Sequence, residues 1–338
     1  MPQDITLHVF RVEKFIKPFI ELIEKYFDYK KHIFIGVAPH PTLSIEEKFN
    51  IVIFNHQRSK FSMLLVLLKY LYTSKKIILH GLFDKNLVLI LALNPWLLKK
   101  CYWLIWGGDF YFPEQQSWIK KQVIKRIRYL VTGATGDYLL IKEWYNAEGQ
   151  HIKSFNYPSN IYKDHKKILK RDKCVYIQVG NSADPSNNHR TVFKQLLKFK
   201  HADIRIFVPL SYGNKEYAKR VIEEGKMLFG DKFTPITRFI PLEEYLEYLF
   251  NIDIAIFAHN RQQAMGNITT LLGYGKKVYL SKNSTLNGVF EEFKIKVYDA
   301  DNIDLQLLDK AVKDQNMRMI KQKFSKRSLI NSLKQFLS

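Results

Sequence analysis

The residues that could bind a phosphorylated ligand lie in two turns of the second half of the chain, at 180–182 and 258–267. Each turn follows an apolar strand-like run and leads into a helical segment, so free N–H groups of a helix N-terminus are available to a diphosphate. Gly180 allows close backbone approach to a ligand, and the Arg261 guanidinium can meet phosphate oxygens. The candidate binding residues of the two turns are Gly180, Asn181, Ser182, Arg261, Gln262, Gln263, Gly266 and Asn267. Because turns before helices are commonly rich in Gly, Asn and Ser, a capping role remains an alternative.

Two strand ends in the first half carry groups that can accept a proton. His80 ends the run 77–79, and Asp109 follows Trp106 and two glycines. A carboxylate or imidazole at such an edge can deprotonate a hydroxyl. We predict Asp109 as the catalytic base, exposed by its glycine-rich turn, with His80 as the second candidate; the alternative is that Asp109 caps the following turn.

Several nucleotide-binding and metal-binding patterns are absent from the sequence. There is no GxxxxGK[ST] motif, and the first strand is followed by Arg11, Val12 and Glu13 rather than GxGxxG, which excludes P-loop enzymes and disfavours dinucleotide enzymes. Cys101 and Cys174 have no metal-ligand spacing. The Asp-x-Asp at 299–301 is interpreted as a solvated turn. We therefore expect no cofactor, and this interpretation of 299–301 agrees with independence from metal.

Short apolar strands alternate with helical periods along the whole chain, which is typical of parallel sheets with crossover helices. Predicted strands are 5–10, 32–37, 51–54, 76–80, 102–106, 129–132, 154–157, 175–179, 203–208, 233–239, 253–257, 277–280 and 295–298. The polar and basic segment 157–172 is interpreted as a linker. The pattern predicts an α/β protein with two doubly wound Rossmann-like domains, 1–160 and 161–338, the second ending in the basic amphipathic helix 326–337. Ligands of such sheets bind at the carboxyl ends of the strands.

The net charge indicates an anionic partner. Lys and Arg number 53 against 32 Asp and Glu in 338 residues, a formal charge of +21, which fits nucleic acid, an anionic membrane or a phosphorylated ligand. Nucleic acid is disfavoured, because the chain has no zinc-finger spacing, no RNP-like aromatic segment and no isolated basic helix. The apolar stretch 86–98 is too short to span a bilayer, and the N-terminus does not resemble a signal peptide. We expect a protein that is soluble or peripheral, with a cytoplasmic location. The helical stretches 58–72 and 118–128 mix Lys and Arg with Leu, Ile, Trp and Tyr, as interfacial helices do; the alternative is that they only cover the first sheet.

Five segments resemble glycosyltransferase family 56, the TDP-4-acetamido-4,6-dideoxygalactose (Fuc4NAc):lipid-linked-disaccharide transferases of enterobacterial common antigen assembly. They are 79–83 (LHGLF), 105–111 (IWGGDFY), 179–189 (VGNSADPSNNH), 208–213 (VPLSYG) and 261–268 (RQQAMGNI). The resemblance adds Asn188, His189, Pro209 and Tyr212 to the donor-binding candidates, and Tyr212 could pack on the base. The chain departs from the family in the turn after its first strand, where a glycine-containing loop is expected.

The resemblance implies a GT-B fold with two domains facing a central cleft. It also implies a nucleotide-sugar donor, with dTDP favoured, that transfers its sugar to an undecaprenyl-diphosphate-linked glycan without a metal. The protein would then work at the inner face of the cytoplasmic membrane. Alternatives are a GT-B transferase with another donor and acceptor, such as lipopolysaccharide core or O-antigen, and more remotely a nucleic-acid-binding protein.

Overall fold

The computed structural model describes residues 3–38, 45–54, 59–165 and 173–338. They form two compact units, Met1–Ser159 with Lys326–Ser338, and Asn160–Ser325. The predicted linker lies partly in 166–172, outside the described residues. The strands are β1 Gln3–Arg11, β2 His32–Ala38, β3 Ile51–Ile53, β4 Ser74–His80, β5 Cys101–Leu104, β6 Tyr129–Val131, β7 Gln150–Ile152, β8 Val175–Val179, β9 Ile204–Pro209, β10 Phe233–Ile236, β11 Ile254–Phe257, β12 Lys277–Leu280 and β13 Tyr298–Asp299.

Helices follow most of the strands, as the alternating pattern predicts. They are α1 Ile16–Tyr26, α2 Lys60–Thr73, α3 Lys85–Leu93, α4 Trp118–Arg126, α5 Thr135–Tyr145, α6 His189–Leu196, α7 Lys215–Phe229, α8 Leu242–Asn251, α9 Met265–Gly273, α10 Leu286–Glu292, α11 Lys310–Lys323 and α12 Lys326–Leu337. Within the described part of the chain, none of these helices has both the length and the apolar character that crossing a bilayer requires.

The first unit is a parallel sheet in the order β3-β2-β1-β4-β5-β6-β7, with helices on both faces. Neighbouring residues of β1 point to opposite faces, as the period of a strand requires. Leu7 and Val9 pack in the core formed with α2 to α5. The intervening residue His8 points to the other face, where its ring meets Phe19 of α1. Polar groups are therefore concentrated on the α1 face of this sheet.

The second unit is a parallel sheet in the order β10-β9-β8-β11-β12-β13. The order reverses direction at β8, where the connections change from one side of the sheet to the other. In open α/β sheets, ligands bind at such a switch point, beyond the carboxyl ends of the strands. For β8 and β11 these ends are Val179 and Phe257, directly before the two turns selected from the sequence.

Two strand predictions and one helix assignment were wrong. The predicted strand 154–157 is not extended, because Asn156 has a left-handed φ of 62°; the edge strand is β7. The predicted strand 295–298 is reduced to β13, since Lys294 is left-handed and Lys296 N–H bonds the Asn316 side chain instead of a strand. Helix α12, predicted in the second domain, belongs to the first unit. Its apolar side packs there: the Phe336 ring stacks on Tyr102 of β5 at 5.8 Å.

Candidate active site

The turn after β8 is organised by a buried asparagine. Gly180 has φ +67° and donates its N–H to the Ile256 carbonyl of β11 at 2.9 Å. The next N–H, that of Asn181, donates to Asn187 Oδ1 at 2.9 Å, and Asn187 Nδ2 lies 3.3 Å from Ser182 Oγ. A Cβ on Gly180 would stand 2.6 Å from Asn187 Oδ1 and 2.8 Å from His189 Nε2. The close backbone approach predicted for Gly180 is therefore made in this structure by side chains of the protein itself, those of Asn187 and His189.

Two neutral histidines lie beneath this turn. His259 Nε2 lies 2.9 Å from Asn187 Oδ1, an acceptor, so this nitrogen carries the proton. His189 at the start of α6 contacts the Tyr217 hydroxyl through Nδ1 at 3.1 Å, while its buried Nε2 has no partner among the described residues. Burial lowers the pKa of His189 to about 4 and that of His259 to about 3. Both rings are therefore uncharged at neutral pH, and His189 Nε2 keeps an unused hydrogen-bonding position beneath Gly180.

The turn after β11 brings a cation to the same place. Arg261 Nη2 donates to Asp184 Oδ2 at 2.8 Å, and Asp184 Oδ1 accepts from the Ser186 N–H at 2.9 Å. Burial opposes ionisation of Asp184, but the hydrogen bonds from Ser186 and the charge of Arg261 outweigh it and lower the pKa of Asp184. The Arg261 side chain is only one-fifth exposed, so its charge is poorly screened and acts within the turn.

Side-chain amides join the two turns to the end of β9. Asn181 receives a hydrogen bond from Gln263 at 3.3 Å and donates one to the Tyr212 hydroxyl at 2.7 Å. Asn188 donates to the Ala258 carbonyl at 2.6 Å. The remaining donor-binding candidates lie around this network: Pro209 ends β9, Gln262 is half-buried beside Gln263, Gly266 is in the first turn of α9, and the Asn267 side chain bonds the Tyr245 hydroxyl.

The candidates of the second unit are thus brought together at the carboxyl ends of β8, β9 and β11. The sequence-based selection missed Asn187, Asp184 and His259, which orient the others. Asn187 and Asp184 lie inside the motif at 179–189, and a polar side chain seven residues after Gly180 is a recognisable signal for Asn187. Nothing in the sequence predicts that His259 contacts Asn187, because 72 residues separate them.

Asp109 in the first unit is fully buried, contrary to the predicted exposure at its glycine-rich turn. Its Oδ2 accepts from Trp103 Nε1 at 2.7 Å and from the Leu82 N–H at 3.0 Å. Its Oδ1 accepts from the Trp106 N–H at 3.2 Å. Burial raises the pKa of Asp109, although Lys120 and these hydrogen bonds oppose the shift. The carboxylate therefore ties the ends of β4 and β5 together.

His80 is also buried, and both of its ring nitrogens are engaged. Nδ1 lies 2.7 Å from the Tyr157 hydroxyl and Nε2 lies 3.1 Å from His8 Nδ1. Burial lowers the pKa of His80 to about 3. The base role of Asp109 and His80 stays an untested prediction. In this arrangement each would have to exchange an existing hydrogen bond for one to the acceptor, which for Asp109 favours a positioning role over proton transfer.

The two units can do different chemistry. The second presents a positive side chain, a helix start and backbone N–H groups, a set that suits an anionic leaving group. Among the residues that the structure describes, no three His, Cys, Asp or Glu side chains come together as metal ligands. The first unit presents aromatic and neutral polar groups at the carboxyl edge of its sheet, a set that suits an uncharged polar ligand.

Known proteins match both the sequence and the fold. The model of the family described as 4-alpha-L-fucosyltransferase, glycosyl transferase group 56, matches residues 2–334. HepE from Anabaena, solved with UDP and glucose, superposes with a TM-score of 0.70 at 10% identity over 98% of this chain and 99% of its own. A glycosyltransferase from Rickettsia africae ESF-5 gives 0.67 at 12% identity over 99% and 98%. Sucrose-phosphate synthase from Thermosynechococcus elongatus gives 0.65 at 11% identity over 98% of each chain.

The likeness to these structures shows the GT-B fold, in agreement with the two doubly wound sheets. The family match extends over nearly the whole chain and agrees with the five motifs. The chain therefore belongs to glycosyltransferase family 56 and is a glycosyltransferase.

Proposed function

We propose that this enzyme transfers a deoxyamino sugar of the Fuc4NAc type from dTDP to an undecaprenyl-diphosphate-linked glycan in bacterial surface polysaccharide synthesis. The observation that carries the proposal is the family match over residues 2–334, combined with the Arg261 guanidinium at the strand ends of the second unit. The alternative is a UDP-sugar donor, which is favoured by one observation, the UDP complexes of the HepE structures.

Glycosyl transfer places negative charge on the departing diphosphate. Arg261 lies in the turn after β11, where its guanidinium pairs with Asp184 at 2.8 Å. A diphosphate would take over that ion pair, at the N-termini of α6 and α9 where the helix dipoles favour negative charge. His189 Nε2, buried and without a partner among the described residues, can donate or accept a further hydrogen bond.

Tyr212 is the partner that we assign to the base of the donor nucleotide. Its ring is half exposed, and its hydroxyl is fixed by Asn181 at 2.7 Å. A ring held by its hydroxyl offers an ordered face on which a pyrimidine can stack. This contact would not discriminate dTDP from UDP, because both bases are pyrimidines.

Donor choice is tested by thermal denaturation with dTDP, UDP and ADP at equal concentrations. A ligand that binds the folded state raises the melting temperature. Because the proposed donor is a dTDP-sugar, we expect the largest increase with dTDP. A larger shift with UDP would favour the alternative donor. No shift with any of the three would contradict a nucleotide site in the turns around Arg261.

We also propose that the helices of the first unit bind an anionic membrane surface. Large apolar side chains are exposed on α2 to α4 and on the segment that follows α3; examples are Phe61 at 68%, Leu93 at 69%, Trp96 at 54% and Trp118 at 73%. The sequences of α2, α3 and α4 contain lysines and one arginine but no Asp or Glu. Exposed aromatic and aliphatic groups between cations are typical of interfacial helices.

Vesicle sedimentation tests this surface. With phosphatidylglycerol vesicles, replacing both Leu93 and Trp96 by Glu should reduce binding at least ten-fold, because two apolar groups are lost and two negative charges are gained. The matched control is Phe239→Glu in the second unit, where the side chain is 83% exposed. Equal loss in the control, or no loss in the double variant, would contradict the assignment of the membrane-binding surface.

A further inference from the structure

A chain of hydrogen bonds crosses the α1 face of the first sheet. His32 Nδ1 lies 2.9 Å from His8 Nε2, and His8 Nδ1 lies 3.1 Å from His80 Nε2. His80 Nδ1 lies 2.7 Å from the Tyr157 hydroxyl, which accepts from Trp106 Nε1 at 2.7 Å. The chain therefore runs from the start of β2 to the carboxyl edge of β5, and we call these five residues the histidine relay.

The indole and the buried tyrosine hydroxyl together favour one direction for the protons in the relay. A tryptophan N–H can only donate, so Tyr157 accepts from Trp106 and its own hydroxyl hydrogen is free to point at His80. His80 then accepts at Nδ1 and carries its proton on Nε2, which donates to His8. The same step repeats from His8 to His32. All three imidazoles fit a single neutral tautomer, with the proton on Nε2.

The environment keeps the relay neutral and rigid. His8, His32, His80 and Tyr157 are all at most 5% exposed. Burial lowers the pKa of His32 to about 4 and of His80 to about 3. The ring of His8 stacks on Phe34 at 4.5 Å. A buried network of successive hydrogen bonds of this kind favours one arrangement of its members.

The half-buried end of the relay is Trp106. Its backbone N–H is bound by Asp109 and its indole N–H by Tyr157, so both its main chain and its ring are held. The indole lies 5.0 Å from Phe15 at 90° and 5.5 Å from Phe83 at 55°. All three rings are half-buried at the carboxyl edge of the sheet. The face of an aromatic ring is electron-rich and attracts the polarised C–H groups of a sugar.

We propose that Trp106, with Phe15 and Phe83, is the surface on which a sugar ring of the acceptor stacks. The three histidines of the relay act through Tyr157, and together they are positioning residues that hold the indole ring of Trp106 in place. This inference rests on the proposed function, because it assumes a glycan acceptor at the first unit. It makes Trp106 a substrate-contact residue. It also explains why three core positions that could be apolar are occupied by histidines.

A double-mutant cycle separates positioning of the indole from simple stabilisation of the fold. Tyr157→Phe removes the hydroxyl and leaves the Trp106 N–H without its partner. We expect the KM for an undecaprenyl-diphosphate-linked hexosamine disaccharide to rise about five- to ten-fold, the effect of one hydrogen bond, while the KM for the donor is unchanged. In a Trp106→Phe background, which has no N–H to hold, Tyr157→Phe should add almost nothing.

The matched control is Tyr145→Phe, a buried tyrosine of the same unit whose hydroxyl donates to the Phe110 carbonyl. It should lose stability without raising the acceptor KM. Equal effects of Tyr157→Phe in both backgrounds, or an acceptor KM unchanged in Trp106→Ala, would overturn the proposal.

Binding without turnover keeps this test independent of the proposed reaction. Soluble hexosamine disaccharides, neutral and acidic, are titrated while tryptophan fluorescence is recorded. We expect a change in emission that Trp106→Phe abolishes. A fluorescence change in an enzyme that transfers no sugar would count against the proposed reaction alone. If no disaccharide changes the emission, or if the change persists in Trp106→Phe, the acceptor surface is assigned wrongly.

Discussion

Replacing Asp109 by Asn tests whether this carboxylate transfers a proton or holds the Trp106 turn. The wild-type side chain accepts three hydrogen bonds, two at Oδ2 and one at Oδ1. An amide has one oxygen and one NH₂ group. If the oxygen keeps the Trp103 and Leu82 donors, the NH₂ group must face the Trp106 N–H, and one bond is replaced by two opposed donors.

The magnitude follows from this geometry. A hydrogen bond to a charged acceptor contributes about 1.5–3 kcal/mol, and leaving a buried donor unsatisfied costs about 1–3 kcal/mol. Removing a buried charge offsets part of this loss. We expect Asp109→Asn to lower the free energy of unfolding by about 1–2 kcal/mol, to raise the acceptor KM and to reduce kcat by less than about ten-fold. A lost general base would instead reduce kcat by about 10²–10⁴.

Urea unfolding followed by tryptophan fluorescence is the appropriate assay. All five tryptophans, Trp96, Trp103, Trp106, Trp118 and Trp144, lie in the first unit, so the signal reports on that unit. Asp84→Asn is the matched control: Asp84 caps α3 by accepting from the Leu87 N–H at 2.8 Å, and Asn caps about as well as Asp. Wild-type stability together with a thousand-fold loss of kcat in Asp109→Asn would refute the positioning role and establish the base.

Three further predictions concern the nucleotide site, metal ions and pH. Arg261→Ala should weaken nucleoside diphosphate binding in calorimetry about ten- to a hundred-fold, because a charge-assisted contact is lost. The control is Arg190→Ala, which removes only an ion pair with Glu224 at the surface and should leave this binding unchanged. Activity should survive EDTA, since helix starts and Arg261 replace a cation; loss that Mg²⁺ or Mn²⁺ restores would contradict this. Burial depresses the pKa of His8, His32 and His80 below 6.5, so below pH 6.5 the unfolded chain binds more protons and stability falls towards pH 4. The free energy of unfolding of the first unit should decrease over this range by up to about 1.4 kcal/mol per pH unit for each histidine, and the urea midpoint should fall with it. A midpoint independent of pH would show that the rings are charged or exposed.

Local patterns predicted the fold because each βα unit is encoded by contiguous residues. Helix α12 begins and ends where its periodicity indicates. The place of α12 could not be predicted in the same way, since a short amphipathic helix fits any apolar surface. Its assignment depends on contacts more than 200 residues away, such as the stacking of Phe336 on Tyr102.

The candidate site shows the same division. The motifs around Gly180 and Arg261 gave the correct strand ends, because parallel topology places post-strand turns at one edge. The burial of Asp109 was not predictable from its two glycines. Its partners Leu82 and Trp103 come from the ends of β4 and β5, which meet only in the folded sheet. The relay residue that contacts His80 Nε2 is His8, which lies 72 residues earlier in the chain.

Mass spectrometry of reaction products tests directly whether the enzyme transfers a deoxyamino sugar to a lipid-linked glycan. The enzyme is incubated with dTDP-, UDP- and ADP-linked sugars and an undecaprenyl-diphosphate-linked disaccharide. The account predicts that the lipid-linked acceptor gains the mass of one deoxyamino sugar, with release of dTDP. A mass gain only with another nucleotide would move the donor assignment, and an unchanged acceptor with every nucleotide sugar would contradict transfer to a lipid-linked glycan.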